Sequence, residues 1–209
     1  TDYEVADSGS YVAGEQVKDP KDSLGANQVF LFAGESASIK TIARGGNDFR
    51  TFVFSRDGQQ LVFIAERDAR PKELVKYFKL YHYKSQADSS LLLIDRYTPG
   101  MKLGFTVSEF GKPRFSKSGQ RLYFGTAPIR SAADTSLPEI DQVKVDIWHY
   151  NDDYLQTQQL YNLKRDLEKS FLALYDFSNQ HVVQLETPEL SQVLFPDHGD
   201  AMFGYIITD

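Results

Sequence analysis

One short pattern recurs in register along this 209-residue chain, and it constrains the fold more than any other feature. Residues 49–66 (FRTFVFSRDGQQLVFIAE), 110–127 (FGKPRFSKSGQRLYFGTA) and 190–207 (LSQVLFPDHGDAMFGYII) align without gaps. Each places an aromatic residue four positions before a glycine: Phe54 before Gly58, Phe115 before Gly119, Phe195 before Gly199. Each then places an apolar residue three positions after it: Leu61, Leu122 and Met202. A weaker copy opens the chain, with Val5, Gly9 and Val12 in the same slots. Short polar residues leading into a glycine are turn chemistry, because they bond local backbone while glycine accepts a positive φ without steric cost. Apolar residues alternate on either side, with the period of two that strands require. The unit is a tight hairpin, and four copies in register make a repeat.

The turn glycines lie 49, 61 and 80 residues apart. The first interval suits one four-stranded propeller blade, and the other two call for insertions. Between the hairpins, residues 28–43, 77–95 and 170–186 each read as strand, turn, strand. The expected fold is therefore all-β: a β-propeller of four-stranded antiparallel blades, about three and a half of them. Blade one covers about 3–45, blade two about 49–97, blade three about 110–186 with an insertion, and a half blade 190–209. Residues 67–76 and 131–141 read as loops, the first with the alternative of a short helical turn. Residues 151–169 are polar, with Leu160, Leu163 and Leu167 at helical spacing and Asn151 and Asp152 as caps. A helical insertion is expected there, with a long twisted hairpin arm as the alternative. Three and a half blades do not close a ring and leave strand edges open, so the chain reads as part of a longer propeller or as one that pairs with other copies.

Composition agrees with strands and removes several functions. The 15 Phe and 12 Tyr favour pleated, half-buried surfaces. A net charge of −6 opposes a nucleic-acid role, which needs a clustered basic surface. The absence of cysteine removes disulfides, thiolate zinc sites and a cysteine nucleophile. Apolar runs such as Leu91 to Ile94 are strand-sized, so no membrane span is expected. No signal peptide is visible, but the sequence opens at Thr1 rather than Met, so this decides nothing about export.

Catalytic motifs are missing as well. No serine sits in Gly-x-Ser-x-Gly, and there is no Gly-rich phosphate loop or His-Glu-x-x-His. His82 and His149 fall in similar aromatic segments, while His181 and His198 flank turns; hydrogen-bonded or solvated histidine is the plainer reading of all four. Asp146, Asp152 and Asp153 lack the ligand spacing and glycine of a calcium loop. No metal and no cofactor is expected. The best-clustered contact candidates are Trp148, His149, Tyr150 and Tyr154, in a stretch holding the only tryptophan. The competing reading makes that stretch an outer strand with aromatic plates between blades, since Ile147–Tyr150 parallels Leu80–Tyr83.

The hairpin Phe-Ser-x-Asp/Ser-Gly-x-x-Leu-x-Phe is similar to the repeat of TolB-type propellers. It also resembles the repeat in propeller domains of S9 (prolyl oligopeptidase and dipeptidyl-peptidase) serine peptidases. Residues 113–130 followed by 145–160, with an aspartate–aliphatic–Trp motif and a Gln-rich segment, look closer to exported bacterial peptidases of that type. The resemblance implies a non-catalytic propeller segment that gates and positions peptide substrates for a C-terminal α/β-hydrolase domain absent from this chain. It also implies export to the periplasm or cell exterior. The alternatives are a TolB-like propeller that binds a protein or glycan partner, and a propeller glycosidase with carboxylates along its channel.

Overall fold

A computed structural model describes residues 3–22, 24–132, 154–190 and 192–207. Three successive antiparallel sheets and a final hairpin follow one another along the chain. The first sheet holds β1 (Tyr3–Val5), β2 (Tyr11–Gln16), β3 (Gln28–Ala33) and β4 (Ser38–Arg44) in chain order. The second holds β5 (Asp48–Phe54), β6 (Gln60–Glu66), β7 (Lys79–Lys84) and β8 (Leu91–Ile94), again in order. In the third, β10 (Arg114–Phe115), β11 (Arg121–Pro128), β12 (Phe171–Asp176) and β13 (His181–Gln184) follow one another. A split first strand adds β9 (Phe105–Val107), which pairs with the far end of β11. The last hairpin is β14 (Val193–Leu194) with β15 (Tyr205–Ile206). The first strands approach one another, β1 beside β5 and β5 beside β10, so the sheets fan out from a common inner side. This is propeller-blade architecture.

The sheets hold together face to face, and β6 shows how. Its core sequence, Leu61-Val62-Phe63-Ile64-Ala65, is fully buried. Alternation sends Leu61, Phe63 and Ala65 into a cluster with Ala13, Val29, Leu31 and Ile42 of the first sheet. Val62 and Ile64 point the other way, into a cluster with Leu122, Phe124 and Ala173 of the third sheet. A short continuous apolar run is the expected signature of a strand covered on both faces. Phe63 sits among Phe49, Phe52 and Tyr81, with ring centroids 6.0, 5.7 and 5.6 Å away. Burying a side chain of this size contributes about 2–3 kcal/mol.

The repeated turns close in one way in the first three hairpins. Ala6, Ser55 and Ser116 each donate their N–H to the carbonyl five residues on, at 2.9 Å. Gly9, Gly58 and Gly119 donate back to those same three residues, at φ of 69°, 71° and 72°. In the second turn Asp57 accepts from the Ser55 hydroxyl at 2.5 Å and from the Gln59 N–H at 3.0 Å, and these bonds hold its carboxyl below the usual range. The fourth copy departs from the sequence alignment. Its opening residue is Pro196, which has no N–H to donate. The expected partners Phe195 and Met202 do not pair, and the hairpin instead matches Leu194 with Tyr205 across a longer loop.

The turns also stack in a row through the residue two positions after each glycine. Tyr11 lies against Gly58, with 3.7 Å to the position a Cβ would take there. Gln60 donates to the Gly119 carbonyl at 3.1 Å. Arg121 donates to the carbonyls of Gly199 and Ala201 at 3.3 and 2.7 Å.

The expected insertion contains a helix, α1 (Gln156–Leu167). It begins at Gln156, with Leu155 at the N-cap position and no side-chain cap. The proposed caps Asn151 and Asp152 lie outside the described residues. Residues 67–76 run as turns without a helix. Both edges of β11 are taken, by β9 and β10 on one side and β12 on the other. Residues 147–150, read alternatively as an outer strand, lie outside the described residues.

Candidate functional site

The connection from β6 to β7 crosses the sheet ends opposite the row of turns, and there it walls a cleft between the second and third sheets. Burial of Glu66 fixes the start of this connection. Its carboxylate accepts from the Asn47 side chain at 2.7 Å, from the Asp68 N–H at 2.8 Å and from the Ala69 N–H at 2.6 Å. These donors satisfy a buried charge that would otherwise be costly. The carboxylate is thus a structural anchor for the connection.

The cleft has two lobes that share Val75, Tyr77, Phe78 and Thr106. The first lobe, about 240 Å³, carries the charged side chains of Asp68, Glu73, Lys79 and Arg96. Lys79 pairs with Asp68, and this hydrogen bond keeps the ammonium ion above its ordinary pKa. The Arg96 guanidinium is stacked between Tyr77 and Tyr97, at 4.0 and 4.7 Å from the ring centroids. Such stacking holds a cation at the surface with its N–H edges turned to solvent or a ligand. The second lobe, about 230 Å³, includes the apolar side chains of Val107, Phe110, Ile129 and Leu167. Glu109 at its edge is neutralised by Arg50, which also grips Asp48 at 2.6 Å and lies over the Phe78 ring.

Leu167 brings the insertion into this site, because it ends α1 and its carbonyl accepts a hydrogen bond from Arg130. Tyr154, just before the helix, is exposed, and its carbonyl accepts from the Gln159 amide at 3.0 Å. Trp148, His149 and Tyr150 lie outside the described residues, so only Tyr154 of the four sequence candidates has a described position. Sequence reasoning missed Tyr77, Arg96 and Tyr97. The available signal was an arginine followed by a tyrosine at the end of an outer strand, which periodicity treats as a turn.

The described histidines do not converge. His82 lies between sheets, bonded to the Gln60 side chain at 3.0 Å and against the Phe177 ring at 5.0 Å. Burial, assisted by Lys84, pushes its pKa down to about 4. His181 and His198 sit at separate turns. Among the described residues no group of three or more His, Asp or Glu side chains could hold a metal ion. No described helix is long and apolar enough to cross a membrane. The arrangement can bind, with the side chains of Val107, Phe110, Ile129 and Leu167 at one end and a stacked cation at the other.

Comparison with known proteins supports the fold. No family model matches the sequence, and no curated protein matches it. Among solved structures, Porphyromonas gingivalis dipeptidyl peptidase 4 is similar over 95% of this chain and 28% of its own, with a TM-score of 0.52 and 13% identity. The acylaminoacyl peptidase of Pyrococcus horikoshii matches 89% of this chain and 25% of its own, at a TM-score of 0.49 and 17% identity. TolB of Acinetobacter baumannii matches 90% of this chain and 33% of its own, at 0.46 and 12%. The first of these bears on the fold, and at this identity on the fold alone. The chain spans between a quarter and a third of the length of these structures.

Proposed function

We propose that this chain is a non-catalytic propeller segment of an S9-type serine peptidase. It comprises three blades and the first half of a fourth, and it positions and admits peptide substrates for a hydrolase domain carried elsewhere in the same protein. The observation that carries this reading is the similarity of nearly the whole chain to little more than a quarter of a dipeptidyl peptidase. The hairpin repeat, the missing nucleophile elbow and the engaged state of Glu66 and Glu109 agree with it, since each leaves the chemistry to another domain. In this reading the cleft between the second and third sheets takes peptide side chains, with Arg96 available to a carboxylate and the Phe110–Ile129 lobe to an apolar group. Export of the protein belongs to the same proposal.

The test uses the natural full-length gene product and a fluorophosphonate that labels activated serines. A single labelled serine is expected outside these 209 residues, within Gly-x-Ser-x-Gly. The 209-residue chain alone should neither label nor cleave a chromogenic dipeptide substrate. Absence of any labelled serine in the full-length protein, or turnover by the isolated chain, would overturn the proposal.

A further inference from the structure

Each of the three sheets ends on an outer strand, and the three differ in what holds them from outside. In β4, Phe30 pairs with Thr41 and Val29 with Ala43, so Ile42 is skipped. The Ile42 carbonyl instead accepts from the N–H and hydroxyl of Ser90, in the second sheet, at 2.7 and 3.0 Å. The outer strand of the third sheet, β13, is tied as well: its Val182 N–H donates to the Pro99 carbonyl, from the connection before β9, at 2.9 Å. β8 repeats the irregularity of β4, because Tyr81 pairs with Leu92 and Leu80 with Ile94, which skips Leu93. Nothing takes the part of Ser90 there. The corresponding turn of the third sheet closes on itself, from the Gln180 N–H to the Asp176 carbonyl at 2.8 Å. Among the described residues, no backbone group outside the second sheet bonds Leu91–Ile94.

The bare strand is also the most apolar of the three. It reads Leu91-Leu92-Leu93-Ile94, with Leu91 70% and Leu92 48% exposed. Lysine or proline ordinarily blunts a free edge, and β8 has neither, whereas β4 carries Lys40 and Arg44. An uncharged edge left open in this way takes up another strand through main-chain hydrogen bonds.

We infer that β8 pairs antiparallel with β8 of a second copy of this protein, about a two-fold axis. Hydrogen-bonded and non-hydrogen-bonded pairs alternate along an antiparallel ladder, so such an axis must run through a residue paired with its own copy. With Leu92 on the axis, Leu91 lies opposite the partner's Leu93, and Asp88 opposite the partner's Arg96. Charge complements charge at both ends of the apolar strand. The Asp88 side chain is fully exposed, with Lys40 only at 3.9 Å, and Arg96 has no ion pair among the described residues. With Leu93 on the axis, Leu91 would instead face the partner's Asp95, so the first register is favoured. Residues 88–96 on each side are fewer than the ~20–30 of a stable interface, which makes the dimer weak and dependent on protein concentration. The pairing uses the outer rim of the second sheet, away from the open ends of the row of sheets. It needs neither the peptidase reading nor a further blade, so serine labelling leaves it untouched.

Amide exchange on the natural full-length gene product, at two protein concentrations about a hundredfold apart, reads the pairing directly. Exchange across Leu91–Ile94 should slow roughly tenfold or more at the higher concentration, because a paired edge amide exchanges only through opening. Exchange across β4, already tied at Ile42, should not change with concentration. Leu91→Lys, at an exposed position, should abolish the slowing without unfolding the monomer. Asp88→Arg and Arg96→Asp should each weaken it, by setting like charges opposite one another, and the two together should restore it. Restoration separates pairing from a merely structural role of either residue. Exchange that is the same at both concentrations would overturn the inference, fast exchange by leaving the edge bare and slow exchange by covering it within one molecule. Slowing that the double variant fails to recover would overturn it as well.

Discussion

The second and fourth hairpins are near-identical as sequence patterns and differ as structures. In the second, Phe54 pairs with Leu61, the turn closes through the Ser55 N–H, and the following strand is buried on both faces. In the fourth, the aligned pair is broken, the strands shrink to two residues each, and Met202, Phe203, Tyr205 and Ile206 stand exposed. The repeat motif specifies a turn, while β6 extends with strands paired on both its edges and sheets packed on both its faces. A hairpin alone is marginal in water, and the second hairpin has two sheets packed on it.

The sharpest way to break this comparison is to delete one aromatic from each hairpin. Phe63→Ala opens a cavity among Phe49, Phe52 and Tyr81, and should cost about 3–5 kcal/mol in a denaturant titration. Phe203→Ala, at an 81% exposed position, should change stability by less than about 0.5 kcal/mol. A large loss from Phe203→Ala would mean that the fourth hairpin is packed in solution.

A smaller difference concerns pH. His82 is held neutral by burial in the second sheet, with a pKa near 4 against an ordinary 6.5. The unfolded chain therefore binds a proton that the folded chain refuses. The stability His82 allows is complete above pH 6.5, declines as the pH falls, and levels off below about 4. Discounted for its part-exposed edge, the loss should be about 2 kcal/mol. His82→Gln keeps a polar group beside Gln60 and removes the titration. Its unfolding free energy should converge on the wild-type value between pH 7 and pH 4. Parallel curves for the two proteins would show that His82 is not the group responsible.

What the sequence disclosed follows the same division. The turn glycines and the alternating apolar residues beside them were legible because each encodes a local requirement, a positive φ or a covered face. The propeller reading needed nothing more. The shift in the fourth hairpin was also written in the chain, as Pro196, but alignment by residue class treats proline as one more turn former. The cleft was not legible. Tyr77, Arg96 and Tyr97 come together only once β7 and β8 are paired, and the connection carrying Glu66, Asp68 and Lys79 has no periodicity to reveal its path. The stacking role of Tyr11, Gln60 and Arg121 was hidden because the slot holds three unlike residues that share only length.

The smallest expected effect isolates the proline. Pro196→Ser restores the donor that Ala6, Ser55 and Ser116 supply in the other turns. A net gain of one hydrogen bond, about 1 kcal/mol, is offset by the extra freedom that losing proline gives the unfolded chain, about 0.4–1 kcal/mol. Global stability should hardly move. The register should, because a bond from residue 196 to residue 201 draws Phe195 opposite Met202, as Phe54 lies opposite Leu61. Amide exchange reads this directly: a new protected N–H at position 196 and slowed exchange at Met202. If the serine amide exchanges as freely as a loop residue, then proline is not what separates the fourth hairpin from the other three. The pairing around it would then be the cause, since among the described residues β15 pairs with β14 alone, whereas β7 holds β6 in register.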